Sequence, residues 1–311
     1  MAFFTVIIPL YNKESYVENT INSILKQTFT DYEVLIINDC STDDSVAKVK
    51  PFLSEKFKLI EHSENKGLSA ARNTGIQNAN ANYITFLDAD DLWKTTFLET
   101  IFRLINDFPE ARIFGTNYEE VYSNKIITPK NLPIGLKPNS NQLVSFFKFN
   151  LGQGIYNHGS VCFHKEVYSK AGMYDENIDF AEDIDFNIRA NYHFKLAYSN
   201  TIQMQYFMET GLQLTRSSIL NKRLPEYDKY DVFASENKDI TKYLAFERYV
   251  LAKHIKTDGS YELYKKISSK IDYSYLNWKQ KLLLKLPAFI LKLIKEIKEV
   301  LIRKGLKITS Y

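Results

Sequence analysis

Tyr83-Ile84-Thr85-Phe86-Leu87-Asp88-Ala89-Asp90-Asp91 sets five strand-forming residues directly against three carboxylates. The first five read as a buried strand, because β-branched and aromatic side chains favour pleated, packed positions. Working outward, the same grammar recurs upstream. Thr5-Val6-Ile7-Ile8 runs into Pro9-Leu10-Tyr11-Asn12, residues 32–37 run into Asn38-Asp39, and residues 57–60 form a third short apolar run. Helical signals fill the gaps. Asn12 stands as an N-cap ahead of Val17, Ile21 and Ile24. Ser41 with Asp44 opens a helix continued by Val46, Val49 and Leu53, and a third helix is predicted over 69–78. Downstream, Phe97, Ile101, Leu104 and Ile105 mark a helix, Ile113-Phe114 and residues 161–163 mark strands, and residues 184–192 mark another helix. Strands separated by helices are βαβ units, which predicts an α/β fold with a mostly parallel sheet whose ligands bind beyond the carboxyl ends of the strands. That edge would gather Tyr11, Asn12, Asp39 and the aspartates, although they lie far apart in the chain.

The bulk properties are those of a soluble globular protein: 311 residues, 45% hydrophobic and 25% charged. A net charge of +3 gives no reason to expect nucleic acid. Two cysteines, Cys40 and Cys162, are too few for a disulfide framework and point to a reducing compartment. The opening MAFFTVIIPLYN has no basic segment before its apolar run, and Pro9 and Asn12 end that run early, so neither a signal peptide nor a membrane span is expected. A cytoplasmic location follows.

Three carboxylates within four residues repel one another and need a counter-charge or full solvation. Mg²⁺ or Mn²⁺ supplies one, since either ion is commonly held by one or two carboxylates together with substrate phosphates. The competing reading is a solvated loop, with Asp90 or Asp91 capping the helix that follows. Asp39 is placed to accept a hydrogen bond from a uracil or thymine N–H; otherwise it is a turn residue. In Asn65-Lys66-Gly67-Leu68-Ser69-Ala70-Ala71-Arg72-Asn73-Thr74-Gly75, Gly67 permits a tight turn, the following helix N-terminus can face an anion, and Arg72 lies one turn in, within reach of a phosphate or the aspartates.

Four motifs in this order resemble the family 2 glycosyltransferases: Pro9-Leu10-Tyr11-Asn12, Asn38-Asp39-x-Ser41-x-Asp43, Asn65-x-Gly67-x-Ser69-x-Ala71-Arg72-Asn73-x-Gly75, and Asp88-x-Asp90-Asp91. The resemblance covers roughly residues 3 to 200. It implies a GT-A fold, a Rossmann-like, mostly parallel twisted sheet flanked by helices, here with a helical C-terminal extension. It also implies an inverting transfer from a nucleotide-diphosphate sugar, UDP being the base weighted by the family, to a hydroxyl of a glycan or lipid-linked acceptor. On that resemblance Asp39 contacts the base, Pro9, Tyr11 and Asn12 line the nucleoside pocket, Asp88 lies near ribose and metal, and Asp90 is the principal ligand of Mn²⁺ or Mg²⁺. Arg72 would lie between the nucleotide and the acidic cluster. One position departs from the pattern: Cys40 stands where the family often has glycine, which removes easy access to positive φ.

An inverting transfer needs a base on the far side of the sugar from the leaving phosphate, so it cannot be a metal-bound aspartate. Phe180-Ala181-Glu182-Asp183-Ile184-Asp185 follows Gly172-Met173-Tyr174-Asp175-Glu176, a segment resembling the one ahead of the family's Glu-Asp motif. By that match Asp183 is the base and Glu182 helps to position acceptor or base. Asp185, two residues further round a helix, faces elsewhere. The bland alternative is a helix whose first turn is acidic. His158 and His164 flank the strand at Val161 and read chiefly as structural. Met208-Glu209-Thr210 and Arg216 fall where the family has a mobile loop over the donor, with Arg216 a candidate phosphate contact. The signature and transmembrane helices of the polymerising members are missing, so one sugar per encounter is expected. Two other classes compete. An aspartyl-phosphate phosphohydrolase would need Thr or Val where Leu92 stands, and a non-catalytic nucleotide-sugar binder would lack a base like Asp183.

The expected organisation is residues 1–215 as the glycosyltransferase domain, 216–278 as a helical extension, and 279–311 as a basic amphipathic tail. The tail holds nine basic residues against two acidic ones, and its apolar residues from Leu282 to Leu301 recur at helical spacing, broken at Pro287. Lysine interrupts it too often for a bilayer span, so a peripheral anchor on the anionic inner face of the cell membrane is expected. Packing on the catalytic domain, or on a homodimer partner, is the alternative. A lipid-linked acceptor in capsule or lipopolysaccharide synthesis would suit such an anchor, by analogy only.

Overall fold

The computed structural model describes residues 1–122, 125–127, 136, 140–208, 210, 218–235 and 237–303. The strands are β1 (Phe4–Leu10), β2 (Tyr32–Asn38), β3 (Phe57–Glu61), β4 (Tyr83–Phe86), β5 (Leu92–Trp93), β6 (Ile113–Tyr122), β7 (Lys125–Ile127), β8 (Asn141–Val144), β9 (Val161–His164) and β10 (Leu196–Phe207). The helices are α1 (Val17–Leu25), α2 (Ser45–Val49), α3 (Leu68–Asn78), α4 (Phe97–Asp107), α5 (Phe146–Phe149), α6 (Glu166–Ala171), α7 (Glu182–His193), α8 (Asp231–Ala234), α9 (Lys238–Asp258), α10 (Tyr261–Ser268), α11 (Trp278–Lys285) and α12 (Ala288–Arg303). One sheet runs in the order β3-β2-β1-β4-β9-β6-β10-β5, with β7 on β6 and β8 on β10. The β3-β2-β1-β4 half is parallel. Beyond it the sheet is mixed, because β9 enters antiparallel between β4 and β6.

Both faces of the parallel half are covered, which is why its strands read as unbroken apolar runs. Phe4, Val6, Ile8 and Leu10 of β1 pack with Ile21 of α1 and Phe97, Ile101 and Leu104 of α4. Ile7 points the other way, into a cluster that also holds Phe186 and Ile188 of α7 and Leu244, Leu251 and Ile255 of α9. The extension thus shares a core with the sheet. Gly75 is required by close approach: a β-carbon there would collide with Ile7 where α3 crosses β1.

Several local expectations are corrected. Asn12 caps no helix. It sits at φ 50°, its side chain accepts from the Thr42 backbone N–H at 2.8 Å, and α1 begins only at Val17, behind its N-cap Tyr16. Asn12 therefore ties the loop after β1 to the loop after β2. The helix expected from Ser41 starts instead at Ser45, and Pro51 ends it in a 3₁₀ turn before Leu53. Neither Asp90 nor Asp91 caps α4, whose N-cap is Thr96. Strand β10 went unforeseen because register shifts between Ser199, Ile202 and Met204 break its period-2 pattern. The loop with Pro129, Pro133, Gly135 and Pro138 and the Glu209 and Arg216 positions lie outside the described residues.

Candidate active site

The carboxyl ends of β1, β2 and β4 open onto a cleft of about 430 Å³. Pro9, Tyr11, Asp39, Arg72, Asp88, Asp90, Glu182 and Asp183 all line it. Asn12 is set back from the lining, held in its tie to Thr42.

Asp39 is buried, and its carboxylate is already engaged. Oδ1 accepts from the Lys66 backbone N–H at 2.9 Å and faces His62 Nδ1 at 2.7 Å, and Oδ2 accepts from the Gly67 N–H at 2.8 Å. These contacts use three of roughly four lone-pair positions. Asp39 thereby anchors the turn that launches α3, where Gly67 takes φ 90°. His62, which completes the anchor by also meeting Thr74 at 2.9 Å, gave no signal in the sequence.

Arg72 is the hinge of the electrostatics. It is buried, its Nη1 donates to Glu182 Oε1 at 3.0 Å, and its Nη2 lies 3.5 Å from Asp88 Oδ1. Tyr174 and Phe86 lie beneath the guanidinium at 5.4 and 6.0 Å. Burial works against its charge, but Asp88 and Glu182 outweigh it and raise the pKa. One cation therefore joins the acidic run after β4 to the acidic start of α7, residues about a hundred positions apart.

The three aspartates after β4 have three environments. Asp88 is buried enough for desolvation to raise its pKa, opposed by Arg72. Asp90 Oδ2 accepts from Lys13 Nζ and from the Thr210 hydroxyl, each at 2.6 Å. Asp91 is fully buried. Its Oδ1 accepts from the Phe207 N–H at 3.0 Å, tying the loop to β10, while burial holds its pKa well above the usual carboxylate range. Lys13 and Thr210 converge on Asp90 from distant segments, a partnership that spacing alone does not announce.

No three His, Cys, Asp or Glu side chains converge into a closed metal cage among the described residues. Asp88 and Asp90 still form a donor set of the kind that suits Mg²⁺ or Mn²⁺, two carboxylates from one loop facing the cleft, where substrate phosphates would complete the shell. The Lys13 ammonium on Asp90 shows that this oxygen takes a cation.

Across the cleft, α7 opens with Ala181 in the left-handed region at φ 61°, strained for a residue with a β-carbon. Burial raises the pKa values of both Glu182 and Asp183; Asp183 adds to the rise at Glu182, and Arg72 opposes it at both. Asp183 Oδ1 accepts the Ile184 N–H at 2.9 Å. Asp185 faces elsewhere, as expected. It is fully buried against Lys229 and Arg189 at 2.7 and 2.8 Å with the Tyr230 hydroxyl at 2.5 Å, and these partners lower its pKa despite burial. His158 lines the cleft, but burial keeps it neutral and its Nε2 meets the Tyr174 hydroxyl at 2.5 Å. His164 pairs with Tyr83 at the opposite end of β4.

The sequence profile described as Glycosyl transferase family 2 matches residues 5–171, more than half of the chain. The chain belongs to this family. Among its relatives is the glycosyltransferase GlyA of Streptococcus pneumoniae serotype 4, 41% identical over 37% of this chain and 16% of the relative. Another is the UDP-Glc:alpha-D-GlcNAc-diphosphoundecaprenol beta-1,3-glucosyltransferase WfgD of Escherichia coli, 35% identical over 40% of this chain and 48% of the relative. The chain thus spans less than half the length of both curated relatives. The S. aureus TarS fragment 1-349, solved in complex with UDP-GlcNAc, superposes with a TM-score of 0.62 at 17% identity, covering 98% of this chain and 93% of that one. At that identity the likeness speaks for the fold, which is the GT-A fold with added C-terminal helices.

Proposed function

We propose that the protein transfers a single sugar from a nucleotide-diphosphate sugar, with UDP as the nucleotide, to a hydroxyl of a glycan or lipid-linked acceptor, with inversion. The observation that carries this reading is the meeting in one cleft of Asp88 and Asp90 after β4 with Glu182 and Asp183 at the start of α7, joined by Arg72, which contacts both Asp88 and Glu182. Tyr11 and Pro9 border the nucleoside end, and Asp39 fixes the turn under it. A divalent ion held by Asp90 and Asp88 would neutralise charge on the departing diphosphate as a Lewis acid. Asp183 takes the proton of the acceptor hydroxyl while its oxygen bonds to the anomeric carbon. The bond from that carbon to the diphosphate oxygen breaks on the opposite face, and the nucleoside diphosphate carries away the electron pair. The raised pKa of Asp183 suits a base, and Glu182, locked to Arg72, limits the positions that Asp183 can take. The printed name of the E. coli relative, with its UDP-linked donor and diphosphoundecaprenol acceptor, supports the same substrate classes and a place in bacterial surface polysaccharide synthesis.

Asp183→Asn should lower transfer by about 10³-fold or more while leaving UDP affinity within a factor of about two. Calorimetric titration of UDP beside a chromatographic transfer assay measures both. Undiminished transfer by Asp183→Asn would remove Asp183 from the mechanism, and failure of wild type to bind UDP would redirect the nucleotide assignment to dTDP, GDP or CDP.

We further propose that the tail holds the enzyme at the anionic inner face of the cell membrane. One face of the tail docks on the protein: Leu284 and Leu291 are buried, and Lys256 and Tyr264 donate to the Leu284 carbonyl at 2.6 and 2.9 Å. The other face leaves Trp278, Leu282, Phe289, Leu293, Ile297 and Val300 exposed among lysines. No helix among the described residues is long and apolar enough to cross a membrane. An apolar row flanked by cations suits insertion to headgroup depth. The triple variant Phe289→Ser, Leu293→Ser, Ile297→Ser should lose about 10-fold or more in affinity for phosphatidylglycerol vesicles in a sedimentation assay. Unchanged binding, or self-association of wild type that the variant abolishes, would assign this face to a second copy of the chain instead.

A further inference from the structure

The family match ends at residue 171, yet the cleft does not end there. A face of α9 also lines it, where Glu247, Val250, Leu251 and His254 follow one another at helical spacing. Glu247 is 5% exposed, and it makes no ion pair among the described residues. Its carboxyl takes a hydrogen bond from the Tyr243 hydroxyl and feels the charge of Asp183. Burial pushes its pKa up to about 8, so at neutral pH it carries a proton and can both donate and accept. The rest of the wall is apolar or uncharged. Burial drops His254 to about 4, which leaves it neutral, and its ring meets that of Phe180, from the loop ahead of α7, at 6.2 Å.

A pyranose has one face of C–H groups and a rim of hydroxyls. A surface that combines aliphatic and aromatic groups with one neutral carboxyl matches both.

We propose that this face of α9 is the acceptor subsite: the acceptor's terminal sugar lies against Val250, Leu251 and His254, and Glu247 hydrogen-bonds one of its hydroxyls so that another faces Asp183. The assignment rests on the reading of Asp183 as the base. It makes the C-terminal extension, which lies outside the family match, the segment that selects the acceptor.

The test uses the full chain saturated with UDP and a panel of p-nitrophenyl pyranosides (glucoside, galactoside, N-acetylglucosaminide, rhamnoside) as acceptor surrogates, followed by saturation-transfer NMR. At least one glycoside should show saturation of its ring protons in wild type. Glu247→Leu should weaken that glycoside by about 10-fold, because a hydroxyl partner is lost. Glu247→Gln, which keeps a neutral donor and acceptor, should retain it within about 3-fold. Val250→Trp, which fills the subsite from a half-buried position, should abolish it even if Glu247→Leu folds poorly. UDP affinity by calorimetry should stay unchanged in all three. Glycoside binding that survives both Glu247→Leu and Val250→Trp, or no glycoside binding by a wild type that binds UDP, would overturn the subsite. A wild type that binds no nucleotide would instead overturn the donor reading on which it rests.

Discussion

The cleft is lined by two groups of carboxyls that differ in what faces them: those after β2 and β4, here the donor wall, and those of α7 and α9, here the acceptor wall. On the donor wall, Lys13 sits on Asp90 and Arg72 on Asp88, although burial still raises the pKa of Asp88. On the acceptor wall, Glu247 is buried among apolar groups and Asp183 is half-buried beside Glu182 and Arg72, and burial raises the pKa values of both. The first environment suits holding a cation and a diphosphate, the second suits holding or moving a proton. Arg72 touches both, through Asp88 and Glu182, and so joins them.

Removing that bridge should have the largest effect. Arg72→Leu leaves the buried Glu182 and the half-buried Asp88 without their cation, and breaking a buried pair from one side costs about 3–5 kcal/mol. Urea unfolding followed by circular dichroism should register this as a lower midpoint at unchanged slope. If Arg72→Leu costs less than about 1 kcal/mol, the carboxyls accommodate themselves by protonation, and the two walls are less distinct than drawn.

Next comes the pH dependence of stability, which isolates the acceptor wall. The ordinary value of Glu247 is 4.5 and its folded value about 8. The folded state therefore binds the extra proton across that window. Its contribution to stability is complete below about pH 4.5 and is lost as pH rises to about 8, at up to about 1.4 kcal/mol per unit. Glu247→Gln cannot ionise and should remove this slope, so the variant should match wild type near pH 5 and exceed it near pH 8. Thermal unfolding at pH 5, 6.5 and 8 tests this. Parallel curves for the two proteins would mean that Glu247 finds a solvated or ion-paired environment, and the contrast between the walls would fail there.

The same asymmetry explains what could be read from the sequence. The donor wall is local: each of its carboxylates follows a strand directly, so Asp39, Asp88 and Asp90 stood out as polar residues behind apolar runs. Gly75 was legible as part of a motif, though its reason, the crossing of α3 over Ile7, needed coordinates. The acceptor wall is assembled by long-range packing. Glu247 is one acid in a lysine- and tyrosine-rich helix, and only the burial of α9 against the sheet makes it unusual. Lys13 and His62 were hidden in the same way, since a lone lysine or histidine reads as surface or packing until its partner is known, and Thr210 was legible only as part of a loop over the donor, not as a partner of Asp90. Asn12 misled because residues that cap helices also tolerate positive φ, and here the second property was in use. Strand β10 was lost to its own irregular register.

The smallest effect gives the finest comparison, because each wall holds residues with a β-carbon in the left-handed region: Cys40 at φ 60° behind β2, near Asn12 at φ 50°, and Ala181 at φ 61° ahead of Glu182 and Asp183. Left-handed backbone costs such a residue about 1–2 kcal/mol, and glycine returns part of that gain through its freer unfolded chain, so Cys40→Gly and Ala181→Gly should each stabilise by only about 0.5 kcal/mol. The two should part company in activity. Cys40 lies behind the Asp39 carboxylate, whose place is fixed by Lys66, Gly67 and His62, so Cys40→Gly should leave transfer unchanged. Ala181 sets the direction from which α7 presents Asp183, and the positions open to a glycine there include many that take the carboxylate out of line. Ala181→Gly should therefore lower the transfer rate by about 3-fold to 10-fold with UDP affinity unchanged, since small misplacements of a base are costly. Paired melting curves and transfer rates decide it. If both variants gain stability and neither loses rate, the strain at Ala181 is a property of the turn alone, and the precision of the acceptor wall must reside in Glu182 and Arg72.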